Sequence, residues 1–98
     1  MEFLVEMEIG VPADYDPALL ADLLKRERIR AGEIAARGTF FKNVWIVPCQ
    51  RARIMICTAA DAQELHETYS SLPAMKWNTY QATALIPCGK GASICMPD

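Results

Sequence analysis

Gly38-Thr39-Phe40-Phe41-Lys42-Asn43-Val44-Trp45-Ile46-Val47-Pro48-Cys49-Gln50-Arg51-Ala52-Arg53-Ile54-Met55-Ile56-Cys57 decides the fold of this chain. Its first part, Thr39 to Val47, is β-branched and aromatic, as strands are, and Pro48 to Gln50 interrupts it. From Arg51 to Cys57 an extended pattern resumes, with Ile54 and Ile56 on one side and Arg51, Arg53 and Met55 on the other. Two strands joined by a short breaker form a hairpin, so the centre of the chain is a β-hairpin with helical patterns on both flanks.

Upstream, Gly38 occupies the usual position after a helix C-terminus, and Asp16 followed by Pro17 supplies an N-cap and a proline at the first helical position. A helix is predicted from Pro17 to about Arg37. Before it, Phe3, Val5, Met7 and Ile9 alternate with Leu4, Glu6 and Glu8, the period of a strand with one buried face. Downstream, Thr58 stands three residues before Asp61 as a capping-box-like start, and Ala62, Leu65, Tyr69 and Leu72 recur at helical spacing up to Pro73. Thr79 to Ile86 reads as a last strand, with Tyr80, Ala82, Ala84 and Ile86 on one face.

The resulting order, strand, helix, strand, strand, helix, strand, predicts an α+β ferredoxin-like βαββαβ domain. Such a domain has a four-stranded antiparallel sheet with both helices on one face, and residues 1–98 are expected to form it alone, with 87–98 an irregular C-terminal tail against a neighbouring subunit or the sheet edge. The other sheet face needs a cover, and with 52% hydrophobic residues in 98 the chain carries more apolar surface than a monomer of this size hides easily. A homo-oligomer built on a sheet-to-sheet dimer meets both demands.

Composition narrows the function. A net charge of −2 and no concentrated basic patch argue against nucleic acid and anionic membranes as partners. Lys25, Arg26, Arg28 and Arg30 form the one basic cluster; it is interrupted by Glu27 and suits a solvated helix face. No apolar run approaches the roughly 20 residues a membrane span requires, and Glu2 and Glu6 stand where a signal peptide would be basic, so a cytoplasmic protein is expected. Cys49, Cys57, Cys88 and Cys95 contain no C-x-x-C pair and His66 is the only histidine, which removes zinc-type spacing; the four cysteines are read as reduced thiols, and no metal is expected. No nucleophile-elbow pattern or glycine-rich phosphate loop is present either.

One residue does not fit the core pattern. Leu20, Leu24, Ala31 and Ile34 define an apolar stripe on the first helix, and the position between Leu24 and Ala31 that this stripe requires is Glu27. A carboxylate turned toward a sheet costs free energy unless it is paired or kept for proton chemistry. The first possibility is a salt bridge to Arg51, Arg53 or Lys42; the second is a general base in an apolar pocket between helix and sheet. Trp45 and Trp77 are candidates to line that pocket, although aromatic residues there also suit a core or an interface. His66 lies at the edge of the second helix's apolar stripe, where a structural role is the simpler reading, and is kept as a candidate pocket residue.

The chain resembles the muconolactone Δ-isomerase family over nearly its whole length. The resemblance rests on Met1-x-Phe3-x-Val5-x-Met7, Pro12-x-Asp14-x-Asp16-Pro17, Glu27, Gly38-Thr39, Trp45, Leu65-His66-x-Thr68 and Leu72-Pro73, in order and nearly without gaps. It implies a ferredoxin-like protomer, sheet-to-sheet dimers assembled into rings as large as decamers, and cofactor-free proton transfer that moves a double bond within a small lactone. Glu27 would then be the base, with Arg51, Arg53, Trp45, Trp77 and His66 as substrate-binding candidates and Arg51 or Arg53 on a carboxylate or the enolate. Family members carry an Arg after the tryptophan and a His, Tyr and Asn around the hairpin, where this chain has Ile46, Gln50, Arg51 and Arg53. A cyclase or dehalogenase on the same scaffold, or a non-catalytic binding or assembly protein in which Glu27 pairs with an arginine, are the alternatives.

Overall fold

The computed structural model describes residues 1–88. Six elements follow one another: β1 (Glu2–Glu8), α1 (Pro17–Ala35), β2 (Phe41–Ile46), β3 (Ala52–Thr58), α2 (Ala62–Ser70) and β4 (Thr79–Leu85). The strands form one antiparallel sheet in the order β2-β3-β1-β4, the arrangement expected of a split βαβ unit. The tail expected over residues 87–98 lies, beyond Cys88, outside the described residues.

Register sorts the side chains onto two faces, because directly opposed residues of an antiparallel pair project to the same side. Phe3, Val5 and Met7 oppose Cys57, Met55 and Arg53 on one neighbour and Ala84, Ala82 and Tyr80 on the other. This side carries the core: Phe3, Val5, Met55 and Cys57 pack against Ile34 of α1 and Leu65 and Tyr69 of α2. Burying a side chain the size of Ile34 contributes about 1.5–3 kcal/mol, and Ile34 is wholly buried. Leu4, Ile54, Ile56 and Trp45 lie on the opposite side, which neither helix covers. A second cluster, Val11, Leu23 and Ala74 with Tyr15, Leu20 and Trp77 against it, joins the start of α1 to the segment before β4.

Local signals fix the element ends. Asp16 caps α1, its Oδ1 accepting from the N–H of Ala18 at 2.9 Å and of Leu19 at 3.1 Å, and Gly38 takes a positive φ of 87° after the helix, a conformation glycine adopts without penalty. The helix ends at Ala35, short of Arg37, and β2 begins at Phe41 with an irregularity between Phe41 and Asn43. The cap of α2 is Asp61, which accepts from the N–H of Glu64, while the Glu64 carboxylate accepts from the N–H of Ala60. Thr58 cannot serve, because it is the last residue of β3 and its N–H donates to Phe40. Cys49 and Cys57 are free thiols, but Cys88 is disulfide-bonded, which corrects the expectation of four reduced cysteines. Spacing along a chain does not report which sulfurs meet in space.

Candidate active site

The apolar stripe of α1 runs through Leu20, Leu23, Ala31 and Ile34, with Glu27 between Leu23 and Ala31. Leu23 is buried, whereas Leu24 is 47% exposed. Assigning Leu24 to the stripe was therefore one residue out of register, about 100° around the helix. Glu27 keeps its inferred direction. It is half-buried, and its Oε2 accepts a hydrogen bond of 2.8 Å from the backbone N–H of Ala74, in the segment that follows α2.

No cation pairs with Glu27 among the described residues. Lys42 pairs with Glu2 at 2.8 Å, the Arg51 guanidinium donates to the Val11 carbonyl at 2.8 Å, and Arg53 donates to the Ala52 carbonyl at 3.0 Å. The salt bridge considered for Glu27 from the hairpin is not formed. Instead the carboxylate sits in the wall of a cavity of about 490 Å³ between α1 and the sheet, built chiefly by Met7, Ala31, Phe41, Val44, Met55 and Leu72. Two tyrosines, Tyr69 and Tyr80, supply the only other polar side chains of that wall among the described residues.

The two hydroxyls differ in how they are used. Tyr69 is buried, with its hydroxyl 3.0 Å from the Cys57 Sγ and 3.5 Å from the Met55 sulfur. A thioether only accepts, so donation from Cys57 to Tyr69 and from Tyr69 to Met55 satisfies all three groups. Burial pushes the Tyr69 phenol well above its ordinary range, and the Cys57 contact adds to the effect; burial also pushes the Cys57 thiol up, partly offset by Tyr69. The Tyr80 phenol is raised too, mainly by burial. A hydrogen bond from Asn78 works against that rise, and the nearby Glu27 carboxylate adds to it. The Tyr69 and Tyr80 rings lie 4.8 Å apart between centroids.

A second cavity of about 490 Å³ adjoins the first, since Tyr69 and Tyr80 line both; His66 is in its wall with Phe3, Leu65, Asn78 and Ala82. His66 is exposed and its Nε2 is 3.5 Å from the Ser70 hydroxyl. Arg53 lines a separate groove of about 430 Å³ with Glu6, Glu8, Gln50 and Gln81. Trp45 is 51% exposed on the uncovered face, opposite Ile54. Trp77 packs edge-on against Tyr15 with centroids 5.3 Å apart, and its indole Nε1 is buried without a partner among the described residues. Of the residues singled out in the sequence, then, Glu27 alone lines this cavity; Arg51, Arg53, Trp45, Trp77 and His66 lie elsewhere. Tyr80, Tyr69 and the Ala74 N–H were not foreseen. The alternation that set Tyr80 with Ala82 and Ala84 was visible, but not the register of β4 on β1 that sets Tyr80 opposite Met7. Among the described residues no group of three His, Cys, Asp or Glu side chains is placed to hold a metal ion, and no helix is long and apolar enough to cross a membrane.

Comparison with known proteins settles the family. The family model for muconolactone delta-isomerase matches residues 1–88. The chain belongs to the muconolactone delta-isomerase family. It is similar to the muconolactone delta-isomerase of Rhodococcus opacus, at 26% identity over 89% of this chain and 92% of that protein. Muconolactone delta-isomerase 2 of Acinetobacter lwoffii is 27% identical over 96% of this chain and 95% of its own length. A crystal structure of muconolactone isomerase at 3.3 Å resolution superposes with a TM-score of 0.80 and 23% identity, covering 92% of this chain and 93% of that one. Membership of this family makes the chain an enzyme of the isomerase class, and the shared architecture is the four-stranded antiparallel sheet with two helices described above.

Proposed function

We propose that this isomerase moves a carbon–carbon double bond in a small lactone or other unsaturated carbonyl compound, without a cofactor, using Glu27 as the base that carries the proton. The observation behind this reading is a half-buried carboxylate in the wall of an apolar cavity, held by one backbone N–H and, among the described residues, by no cation. A carboxylate neutralised by an arginine is a poor base; one held by a single amide keeps its second oxygen for a proton. Abstraction at one end of the conjugated system, the γ-carbon of an α,β-unsaturated lactone such as muconolactone or the α-carbon of a β,γ-unsaturated one, breaks a C–H bond and sends the electron pair toward the carbonyl oxygen as a dienolate. Return of the proton from Glu27 to the other end completes the shift, so nothing is oxidised or reduced overall and a single carboxylate serves both steps.

Muconolactone, on which the two curated relatives act by name, is the first substrate to try. In D2O, the wild-type protein should exchange the γ-proton of the lactone or convert it with deuterium entering at the α-carbon, followed by proton NMR, and Glu27→Gln should slow this by about 100-fold or more. Equal rates for the two proteins would remove Glu27 from the role.

The uncovered sheet face supports a further part of the proposal, that the protein works as a homo-oligomer built on sheet-to-sheet pairing. Leu4, Ile54 and Ile56 are only half-buried there, beside the exposed Trp45, and burying such a face against a second copy removes apolar area from water.

A further inference from the structure

We infer that the Tyr80 hydroxyl is the hydrogen-bond donor that stabilises the substrate's enolate oxygen, oriented for that role by Asn78. The inference deepens the proton-transfer reading and rests on it. A base that removes a proton beside a carbonyl leaves negative charge on oxygen, and a fixed donor aimed at that oxygen is among the largest contributions a protein can make. The cavity that holds Glu27 offers few candidates. Among the described residues its only other polar side chains are Tyr69 and Tyr80, and the Tyr69 proton is donated inside the core to Met55 while Cys57 donates to the Tyr69 oxygen.

Asn78 decides what remains to Tyr80. The Gly10 N–H donates to the Asn78 Oδ1 at 3.3 Å, which fixes the amide so that Nδ2 faces the other way. Gly10 is required for this approach, because a Cβ there would collide with the Trp77 carbonyl oxygen. The Asn78 Nδ2 donates to the Tyr80 hydroxyl at 3.4 Å and to the Met7 sulfur at 3.7 Å. Tyr80 is therefore the acceptor in its contact with Asn78, and among the described residues its own proton is donated to nothing. A phenol whose oxygen is already held by an amide, and whose ring is braced 4.8 Å from that of Tyr69, presents one unused O–H in the wall that Glu27 shares. Burial and the neighbouring carboxylate keep that phenol protonated. It acts as a donor and not as a second base.

The test uses 4-nitrophenol as an oxyanion probe, titrated by absorbance into Glu27→Gln protein, which has the neutral side chain the base presents once it holds the substrate's proton. The phenolate should bind this protein, and adding Tyr80→Phe should weaken it by about tenfold or more. Replacing Tyr80 with 3,5-difluorotyrosine, a stronger donor of nearly the same shape, should tighten binding, an opposite change that a merely structural role would not produce. It also answers the question if Tyr80→Phe fails to fold. Equal affinity with and without the hydroxyl, or no phenolate binding by Glu27→Gln protein of unchanged melting temperature, would overturn the assignment. The muconolactone exchange assay keeps the two readings apart. Phenolate binding that depends on Tyr80, with exchange indifferent to Glu27, would sink the base and keep the donor; the reverse pattern would sink the donor alone.

Discussion

Three protonatable side chains, Cys57, Tyr69 and Tyr80, stand close together on the helix-covered face. Cys57 and Tyr69 close their hydrogen bonds on each other and on Met55, so their place is in the stability of the core. Both are buried and both are pushed above their ordinary values, chiefly by burial. The fold thus holds their protons more tightly than the unfolded chain does. As pH rises past the unfolded thiol and phenol, at about 8.5 and 10, the unfolded state loses protons first and stability falls, by about 1.4 kcal/mol per pH unit for each group engaged. Urea midpoints should be level from pH 6 to 8 and decline above about pH 9. Tyr69→Phe should cost about 1 kcal/mol at pH 7, from the lost hydroxyl bonds, and should make the decline shallower, because one of the titrating groups has gone. A midpoint that rises with pH in this range would contradict the packing described.

At the scale of elements, α1 carries the most consequence for function, because it sets the direction of Glu27. Its start depends on Asp16, whose side chain satisfies two of the amides that a helix leaves free at its first turn. Asp16→Ala should lower stability by about 1 kcal/mol, read as a urea midpoint shift, with the fold retained because Leu23, Ala31 and Ile34 still anchor the helix. Signals of this local kind are what made the fold legible: Asp16-Pro17 opens α1, Gly38 follows it, and Pro48 separates the hairpin strands, each acting within a few residues. Glu27 was legible for a related reason, since a carboxylate in an apolar stripe is conspicuous whether the stripe is drawn through Leu23 or Leu24. Pairings across long stretches of chain were not. Arg51 read as part of a strand, yet its guanidinium is tied to the Val11 carbonyl 40 residues away. Tyr80 and Asn78 gain their meaning only from the alignment of β4 with β1, which places Tyr80 opposite Met7, and no local pattern specifies that register.

The whole molecule divides into a helix-covered side, where Glu27 and its cavity lie, and an uncovered side of the sheet where Leu4, Ile54, Ile56 and Trp45 lie. Ile54 is the informative position, because it opposes Glu6 on β1 and Trp45 on β2 and so sits well inside the uncovered face. Ile54→Glu places a charge there without touching the helix-side core, and in a sheet-to-sheet dimer that charge would be buried without a partner, at a cost of several kcal/mol. By size-exclusion chromatography with light scattering, wild-type protein should run as a dimer or larger and Ile54→Glu should shift toward the monomer with an unchanged circular dichroism spectrum. An unchanged mass would mean that this face is not the contact. Because Glu27, Tyr80 and Asn78 all come from one chain and face the other side of the sheet, the dissociated variant also tests whether a protomer is complete by itself. Exchange that survives dissociation would locate the chemistry within one chain, and exchange lost with the oligomer would mean that a second copy completes the cavity.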